Sequence, residues 1–201
     1  AASKEALQGF GVRVPQSVRV EGATGLADAA EKVGFPAVLK GEGFAHKTDA
    51  AAIALNLTSA DALEDAAARM PCTSFVVEEM ISGAVAELLI GVVCDPAHGY
   101  VLTLAAGGTL TEIMDDHVSL LVPSCPAAIK AALTRLRIFS VLDGYRSGTG
   151  ADIPSIIDAV LAIQSYVIAH QPQEVEVNPL ICRAHDAVAA DALIIKGGSA
   201  A

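Results

Sequence analysis

The 201-residue sequence contains no tryptophan, and aromatic residues make up only 4% of it. Few side chains are then available as stacking platforms for single-stranded nucleic acid. Basic residues are also scarce, because 13 Lys and Arg stand against 23 Asp and Glu, for a formal net charge of −10. Binding to a phosphate backbone depends on clustered Lys and Arg, so no nucleic acid partner is expected.

Long apolar runs and paired cysteines are absent as well. No run reaches the roughly 20 residues of a membrane-spanning helix, and the best candidate, 88–94, is interrupted by Gly91. No basic segment followed by an apolar segment opens the chain, so neither export nor a membrane partner is expected. The cysteines form no CxxC pair, which favours reduced thiols in a cytoplasmic protein over a disulfide or zinc framework. The four are Cys72, Cys94, Cys125 and Cys182.

Helical and strand-like patterns are interleaved along the rest of the chain. Helices are predicted at 4–10, between Thr24 and Gly34, and at 60–70, 126–136 and 154–170, with Ser59 as a cap and Pro154 in a first turn. Strands are predicted at 17–20, 35–40, 52–58, 74–79, 86–94 and 100–105, followed by a closing hairpin. This mixture predicts an α+β (mixed α/β) fold in two lobes, residues 1–76 and 77–201.

The closing hairpin carries the most informative pattern. Strict alternation places Glu174, Glu176 and Asn178 on one face of a strand and the intervening valines on the other. A face with two carboxylates and a carboxamide is costly unless a cation sits on it. Glu174 lies farther along the strand and is left out of the predicted site.

The register of this hairpin predicts a second contribution. If 183–186 form the turn, Cys182 pairs with Ala187, and the same register places Asn178 opposite Asp191. Glu176, Asn178 and Asp191 would then present hard oxygen ligands, which suit a Mg²⁺ ion that completes its shell with water and nucleotide phosphates. The alternative is a hydrogen-bonded polar hairpin without metal.

Several segments together resemble one family. In the same order, they are similar to motifs in the ATP-grasp domain of NDP-forming acyl-CoA synthetases, such as ADP-forming acetate–CoA ligase. The resemblance covers almost the whole chain. The matching segments are Pro36-Ala37-Val38-Leu39-Lys40, His46-Lys47-Thr48-Asp49, Val77-Glu78-Glu79-Met80, Gly107-Gly108-Thr109, Asp143-Gly144-Tyr145-Arg146 and Glu176-Val177-Asn178-Pro179-Leu180.

The resemblance implies an ATP-grasp fold whose two lobes close on ATP or ADP with Mg²⁺. It also implies a reversible reaction in which a carboxylic acid, CoA and ATP give acyl-CoA, ADP and phosphate through a phosphohistidine. The family's CoA-binding and acyl-transfer domains have no counterpart here. The chain therefore resembles one domain, or one subunit that pairs with an alpha-type subunit, of a larger enzyme.

The resemblance assigns Lys40 to the ATP phosphates and His46 to the phosphoryl-accepting position. Lys40 ends an apolar strand, where its stem can pack while its ammonium reaches a ligand cleft. His46 lies in a polar loop, and a neutral imidazole nitrogen is a competent phosphoryl acceptor. An ordinary strand-end lysine and a solvated loop histidine are the alternatives.

The remaining nucleotide contacts are also implied by the resemblance. The segment Glu78, Glu79, Met80 and Ile81 matches the connection between the lobes, whose backbone reads the adenine edge. Glu87 is a candidate for ribose or phosphate-bound metal, or else an exposed strand residue. Arg146 could clamp a phosphate with its planar guanidinium, or pair structurally with a nearby aspartate.

Two departures from the family pattern fall on the phosphate side of the site. Where the family commonly has a Gly-Gly pair, this chain has Ala50-Ala51-Ala52, and Leu120 stands near the expected place of an arginine. They motivate a second hypothesis, a regulatory or assembly domain that binds nucleotide or a partner chain without phosphoryl transfer, similar to parts of some protein-lysine acetyltransferases. A stand-alone carboxylate–amine ligase fits less well, because the Asp143–Arg146 segment and the His46 loop match the CoA ligases.

Overall fold

A computed structural model describes residues 2–43, 52–108 and 115–197 of the protein. Strands and helices alternate along these residues, and all strand pairs are antiparallel. In chain order the elements are α1 (Ala2–Gln8), β1 (Ser17–Glu21), α2 (Leu26–Val33), β2 (Ala37–Gly41), β3 (Ile53–Leu57), α3 (Ala60–Arg69), β4 (Ser74–Glu79), β5 (Ala86–Asp95), β6 (Gly99–Ala106), β7 (His117–Leu121), α4 (Pro126–Leu133), α5 (Phe139–Leu142), a 3₁₀ turn (Tyr145–Ser147), α6 (Ile153–His170), β8 (Glu174–Cys182), β9 (Ala187–Ala189) and β10 (Ala192–Ile195).

The chain forms two compact units. The small unit is Pro15–Ser82, and the large unit combines Ala1–Val14 with Gly83–Ala201. These units differ from the predicted lobes, 1–76 and 77–201, because all of β4 lies in the small unit and α1 belongs to the large one. The reason for the second difference is tertiary: buried Lys4 donates a hydrogen bond to the carbonyl oxygen of Ala190 at 3.1 Å, and Arg13 forms an ion pair with Asp186.

The small unit is a four-stranded sheet in the order β1-β4-β2-β3, with α2 and α3 packed on one face. Leu39 of β2 and Val77 of β4 face these helices and are fully buried. Helix α3 begins as predicted at Ser59, whose hydroxyl accepts a hydrogen bond from the amide of Ala62 at 3.2 Å. The alternation of β2 and β4 therefore leaves Lys40 and Glu78 on the opposite face of the sheet.

The large unit is built on a six-stranded sheet in the order β10-β8-β5-β6-β7, with β9 also paired to β8. Its core lies between one face of this sheet and the helices α1, α4 and α6. Within the described residues, α6 is the helix with the length and composition to cross a membrane. Its fully buried Ile156, Val160 and Ile163 pack in the core of the large unit, as in the core helix of a globular domain.

The structure contains two short elements that the sequence did not predict, β7 and α5. Strand β7 has only five residues with weak alternation, and α5 has only four, which is too short for a helical period to be visible. Both are stabilised by packing rather than by local sequence. The carboxylate of Asp116, 8% exposed, accepts hydrogen bonds from the amides of Arg137 and Ile138 at 2.8 and 2.9 Å, just before α5.

Candidate functional site

The closing hairpin has the predicted register. Cys182 of β8 pairs with Ala187 of β9, and the pairing continues without a shift to Val177 and Ala192. The amide of Asn178 donates to the carbonyl oxygen of Asp191 at 3.2 Å, so these two residues lie opposite each other as predicted. Alternating valines on β8 and the turn after Cys182 were sufficient to define this register.

Several polar side chains lie on the face of the large sheet that points away from the core. Val175 and Val177 are fully buried in the core, so the alternation of β8 turns Glu176 and Asn178 to the other face. The same argument places Asp191 there, because Ala192 and Ile194 pack against the core. Glu87 alternates with the buried Ala86 and Leu88 and joins this group, which we call the acidic face: Glu87, Glu176, Asn178 and Asp191.

The glycine pair at the end of β6 lies against Glu87. The amide of Gly107 donates to the carbonyl oxygen of Glu87 at 2.7 Å, and a Cβ on Gly107 would lie 2.8 Å from the Glu87 carbonyl carbon. Only glycine fits so close to a neighbouring backbone. A Cβ on Gly108 would lie 3.5 Å from Oε2 of Glu87, so the carboxylate is beside this turn.

The oxygen donors of the acidic face are of the chemical type that suits a magnesium ion shared with a ligand. No group of three or more His, Cys, Asp or Glu side chains arranged for a metal occurs in the part of the chain that the structure describes. The predicted set contains two carboxylates and one amide, all hard oxygen donors on adjacent strands. Mg²⁺ usually keeps several waters and binds few protein ligands, so such a set is sufficient when phosphate oxygens complete the shell.

A buried ionic clamp holds the turn of the hairpin. Both carboxylate oxygens of Asp186 accept hydrogen bonds from Arg183, each at 2.6 Å, in a planar bidentate pair. Arg13 binds the same carboxylate from the N-terminal segment. The side chain of Asp186 is 10% exposed and that of Arg183 is 12% exposed, so the clamp lies mostly out of solvent.

Cys182 lies under the acidic face and has a strongly shifted acidity. Burial, and secondarily the negative charge of Glu87, raise the pKa of this thiol from 9.0 to about 12. The protonated thiol is therefore favoured in the folded state, and the associated stability is complete below pH 9 and lost as the pH rises toward 12.

We expect the free energy of unfolding to fall by about 1.4 kcal/mol between pH 8 and pH 10 through Cys182 alone, because the thiol ionises only in the unfolded chain. Urea unfolding at both pH values would measure it. Cys182→Ala should remove this part of the loss, while Cys125→Ala, which deletes an exposed thiol, should retain it. An equal pH dependence in Cys182→Ala and the wild type would contradict the assignment.

In the small unit, Lys40 is buried instead of emerging at the end of its strand. It is 7% exposed, and its Nζ lies 2.8 Å from Oε2 of Glu78, which is 2% exposed. Lys40 lies opposite Val76 and Glu78 lies opposite Val38 in the β2–β4 ladder, so the two side chains are diagonal neighbours on one face. The side chain of Glu78 thus has a defined ionic partner that the sequence did not predict.

In the segment predicted to bind adenine, two backbone amides already form hydrogen bonds within the small unit. The amide of Glu79 donates to the carbonyl oxygen of Gln16 at 2.9 Å, and that of Met80 donates to the carbonyl oxygen of Pro36 at 3.2 Å. Ile81 is 8% exposed. Readout of an adenine edge by this segment would therefore depend on its carbonyl groups and on the backbone of Ile81 more than on the amides of Glu79 and Met80.

Arg146 lies on an exposed, tightly wound loop of the large unit. Its backbone is left-handed (φ 53°), and its guanidinium lies 5.2 Å from the ring centre of Tyr145 in a cation–π contact. Within the described residues it forms no ion pair with an aspartate. Gly144 (φ 96°) is required in this loop, because a Cβ there would lie 2.6 Å from the carbonyl oxygen of Gly148.

Three residues were predicted to lie near the transferred phosphate: His46, Ala51 and Leu120. His46, the predicted phosphoryl acceptor, and Ala51 lie outside the described residues. Leu120 is opposite Leu102 in the β6–β7 ladder and packs against the core of the large unit. A side chain at this position therefore points into apolar surroundings, as its residue type suggests.

Two buried ionic contacts, Lys40–Glu78 and Arg183–Asp186, were not among the sequence predictions. For the second, a signal was present, since Arg and Asp three residues apart in a hairpin turn can close it. The first joins residues 38 positions apart on strands whose adjacency depends on the order of the sheet. Lys40 and Glu78 of the small unit are thus brought together by β2 and β4, and the residues of the acidic face by β5, β8 and the β9–β10 connection. Arg146 lies on a separate loop of the large unit.

Comparison with known proteins gives consistent matches. The ATP-grasp domain family matches residues 1–195. The chain is 32% identical over 210 residues to a trans-feruloyl-CoA synthase of an unknown prokaryotic organism, covering 96% of this chain and 29% of that protein. It is 26% identical over 213 residues to the beta subunit of acetate–CoA ligase (ADP-forming) II of Pyrococcus furiosus, covering 98% of this chain and 90% of the subunit.

A solved structure has the same fold. It is the dinucleotide-forming acetyl-coenzyme A synthetase 1 of Ca. Korarchaeum cryptofilum in complex with coenzyme A and Mg-AMPPCP, with a TM-score of 0.86 at 23% identity, covering 97% of this chain and 90% of that one. The chain spans less than a third of the length of the feruloyl-CoA synthase. The ATP-grasp family match, in contrast, covers nearly all of the present chain. It belongs to the ATP-grasp domain family.

Proposed function

We propose that this chain binds ATP or ADP with Mg²⁺ and transfers a phosphoryl group as the nucleotide-handling part of an acid–CoA ligase (ADP-forming). The observation that carries the proposal is the acidic face, where the register of β8 with the β9–β10 connection places Asn178 opposite Asp191. Oxygen donors on adjacent strands suit a cation bound together with phosphates. The relative that is a subunit of acetate–CoA ligase (ADP-forming) supports the type of reaction.

The proposed roles follow the chemistry of each side chain. Glu176, Asn178 and Asp191 hold Mg²⁺, which when bound neutralises phosphate charge, and Glu87 lies beside them on the same face. Lys40 supplies a positive charge to the phosphates, and Arg146 a planar guanidinium. Phosphoryl transfer requires mainly alignment and charge neutralisation, so these residues would account for most of the chain's contribution.

In the proposed reaction, a nitrogen of His46 attacks the γ-phosphorus of ATP, and the bond to the bridging oxygen breaks to release ADP. The reverse transfer regenerates ATP. The remaining steps, which join a carboxylic acid and CoA and release phosphate, require CoA-binding and acyl-transfer domains or an alpha-type subunit. The match to a protein designated subunit beta supports a partner of this kind.

Labelling with ATP tests this proposal. The chain is incubated with γ-labelled ATP and Mg²⁺, and we expect acid-labile, base-stable label that His46→Ala eliminates while nucleotide-induced thermal stabilisation persists. Stabilisation without label would instead support the alternative of a regulatory domain. Absence of both stabilisation and label would contradict nucleotide binding altogether.

A further inference from the structure

We propose that Glu78 is a positioning residue, whose carboxylate holds the ammonium of Lys40 in place for the phosphates of the nucleotide. This inference rests on the proposed function. It concerns the side chain of Glu78, whereas the family resemblance implies only a backbone role for the segment that contains it.

The charged groups of Lys40 and Glu78 are both buried. The side chains of Lys40 and Glu78 are 8% and 3% exposed, and their charged atoms are 2.8 Å apart. A buried ammonium is costly unless a carboxylate compensates its charge, and removal of one partner leaves the other uncompensated. The fold thus holds the buried charge of Lys40 in direct contact with the carboxylate of Glu78.

The sheet fixes the positions of both residues. Both side chains project from neighbouring central strands, β2 and β4, on the face opposite the helices of the small unit. Their backbones are held by a continuous antiparallel ladder from Ala37 to Gly41, so the carboxylate is a rigid reference point for the lysine. An ammonium has three donors and can contact a carboxylate and phosphate oxygens at the same time.

A second ionic contact on this sheet is more exposed to solvent. Arg19 and Glu42 are 2.7 Å apart, but the side chain of Arg19 is 55% exposed and that of Glu42 is 24% exposed. An exposed pair of this kind orders its partners weakly. Among the described residues of the small unit, Glu78 therefore combines burial with direct contact to the proposed phosphate-binding lysine.

The test separates phosphate contact from adenosine contact. Dissociation constants for Mg-ATP and for adenosine are measured by calorimetry on the full chain, in the wild type, Lys40→Met, Glu78→Gln and the double variant. We expect Lys40→Met and Glu78→Gln each to weaken Mg-ATP binding at least about tenfold with adenosine binding unchanged. The double variant should resemble Lys40→Met, because both substitutions remove the same interaction.

A matched control is Glu21→Gln, which alters an exposed carboxylate on β1 of the same sheet and should leave both constants unchanged. If Glu78→Gln does not fold, Glu78→Asp retains the charge but withdraws it by one methylene, and we expect at least a threefold loss of Mg-ATP affinity. Unchanged Mg-ATP affinity in the folded Glu78 variant, or equal losses for Mg-ATP and adenosine, would overturn the positioning role.

The outcomes also distinguish this inference from the proposed function. A wild type that binds Mg-ATP, with the expected loss in Lys40→Met and none in Glu78→Gln, would refute only the role of Glu78. A wild type that binds no Mg-ATP would refute the proposed function, and the positioning inference with it.

Discussion

Replacement of Asp191 by alanine is expected to abolish Mg²⁺-dependent nucleotide binding. Asp191 is opposite Asn178 across the β8 ladder and contributes one of only two carboxylates in the proposed metal set. Loss of residues that merely orient a metal ligand costs about 10- to 100-fold in affinity, so loss of a ligand itself should cost at least about 100-fold. The corresponding stabilisation by Mg-ATP should disappear.

The measurement is the thermal shift produced by ATP, with Mg²⁺ and with a chelator. In the wild type, a ligand at 100 times its dissociation constant stabilises a protein by about 2.7 kcal/mol, and this increment should require Mg²⁺. Glu174→Gln is the matched control, because Glu174 lies on the same strand and alternates with the same buried valines but pairs with Ile195 instead. It should retain the wild-type shift. A wild-type shift in Asp191→Ala would refute the metal assignment.

Replacement of Asp186 by alanine is expected to destabilise the large unit by about 3–5 kcal/mol, the usual cost of breaking a buried ionic contact from one side. Asp186 accepts two hydrogen bonds from Arg183 and a third contact from Arg13. Its removal leaves two guanidinium groups without their carboxylate and releases the turn that sets the β8–β9 register. Urea unfolding followed by circular dichroism would measure the loss.

His185→Ala is the control for this experiment, since His185 lies in the same turn but its side chain is 69% exposed and 3.9 Å from Asp186. We expect a change within about 0.5 kcal/mol for it. Arg183→Met in the Asp186→Ala background should recover part of the stability by removing an uncompensated charge. A loss below about 1 kcal/mol in Asp186→Ala would show that the clamp is not a major determinant of stability.

The two predicted lobes illustrate the limit of reasoning along the chain. Composition and pattern correctly predicted a mixed α/β fold and most helices and strands. The resemblance of six segments correctly indicated the ATP-grasp family. They placed the N-terminal helix with its sequence neighbours, whereas α1 packs in the large unit through Lys4 and Arg13. Those contacts reach residues more than 170 positions away, and no local pattern contains them.

By itself, the sequence determined most helices and strands and the register of the closing hairpin, because caps, alternation and turn position act over a few residues. Ser59, Pro154 and the pairing of Asn178 with Asp191 are of this kind. Only the tertiary structure decided that Lys40 is buried against Glu78, since that pair exists only when β2 and β4 become neighbours in a sheet ordered β1-β4-β2-β3. Strand order is a global property of packing, and it converts a strand-end lysine into half of a buried ion pair.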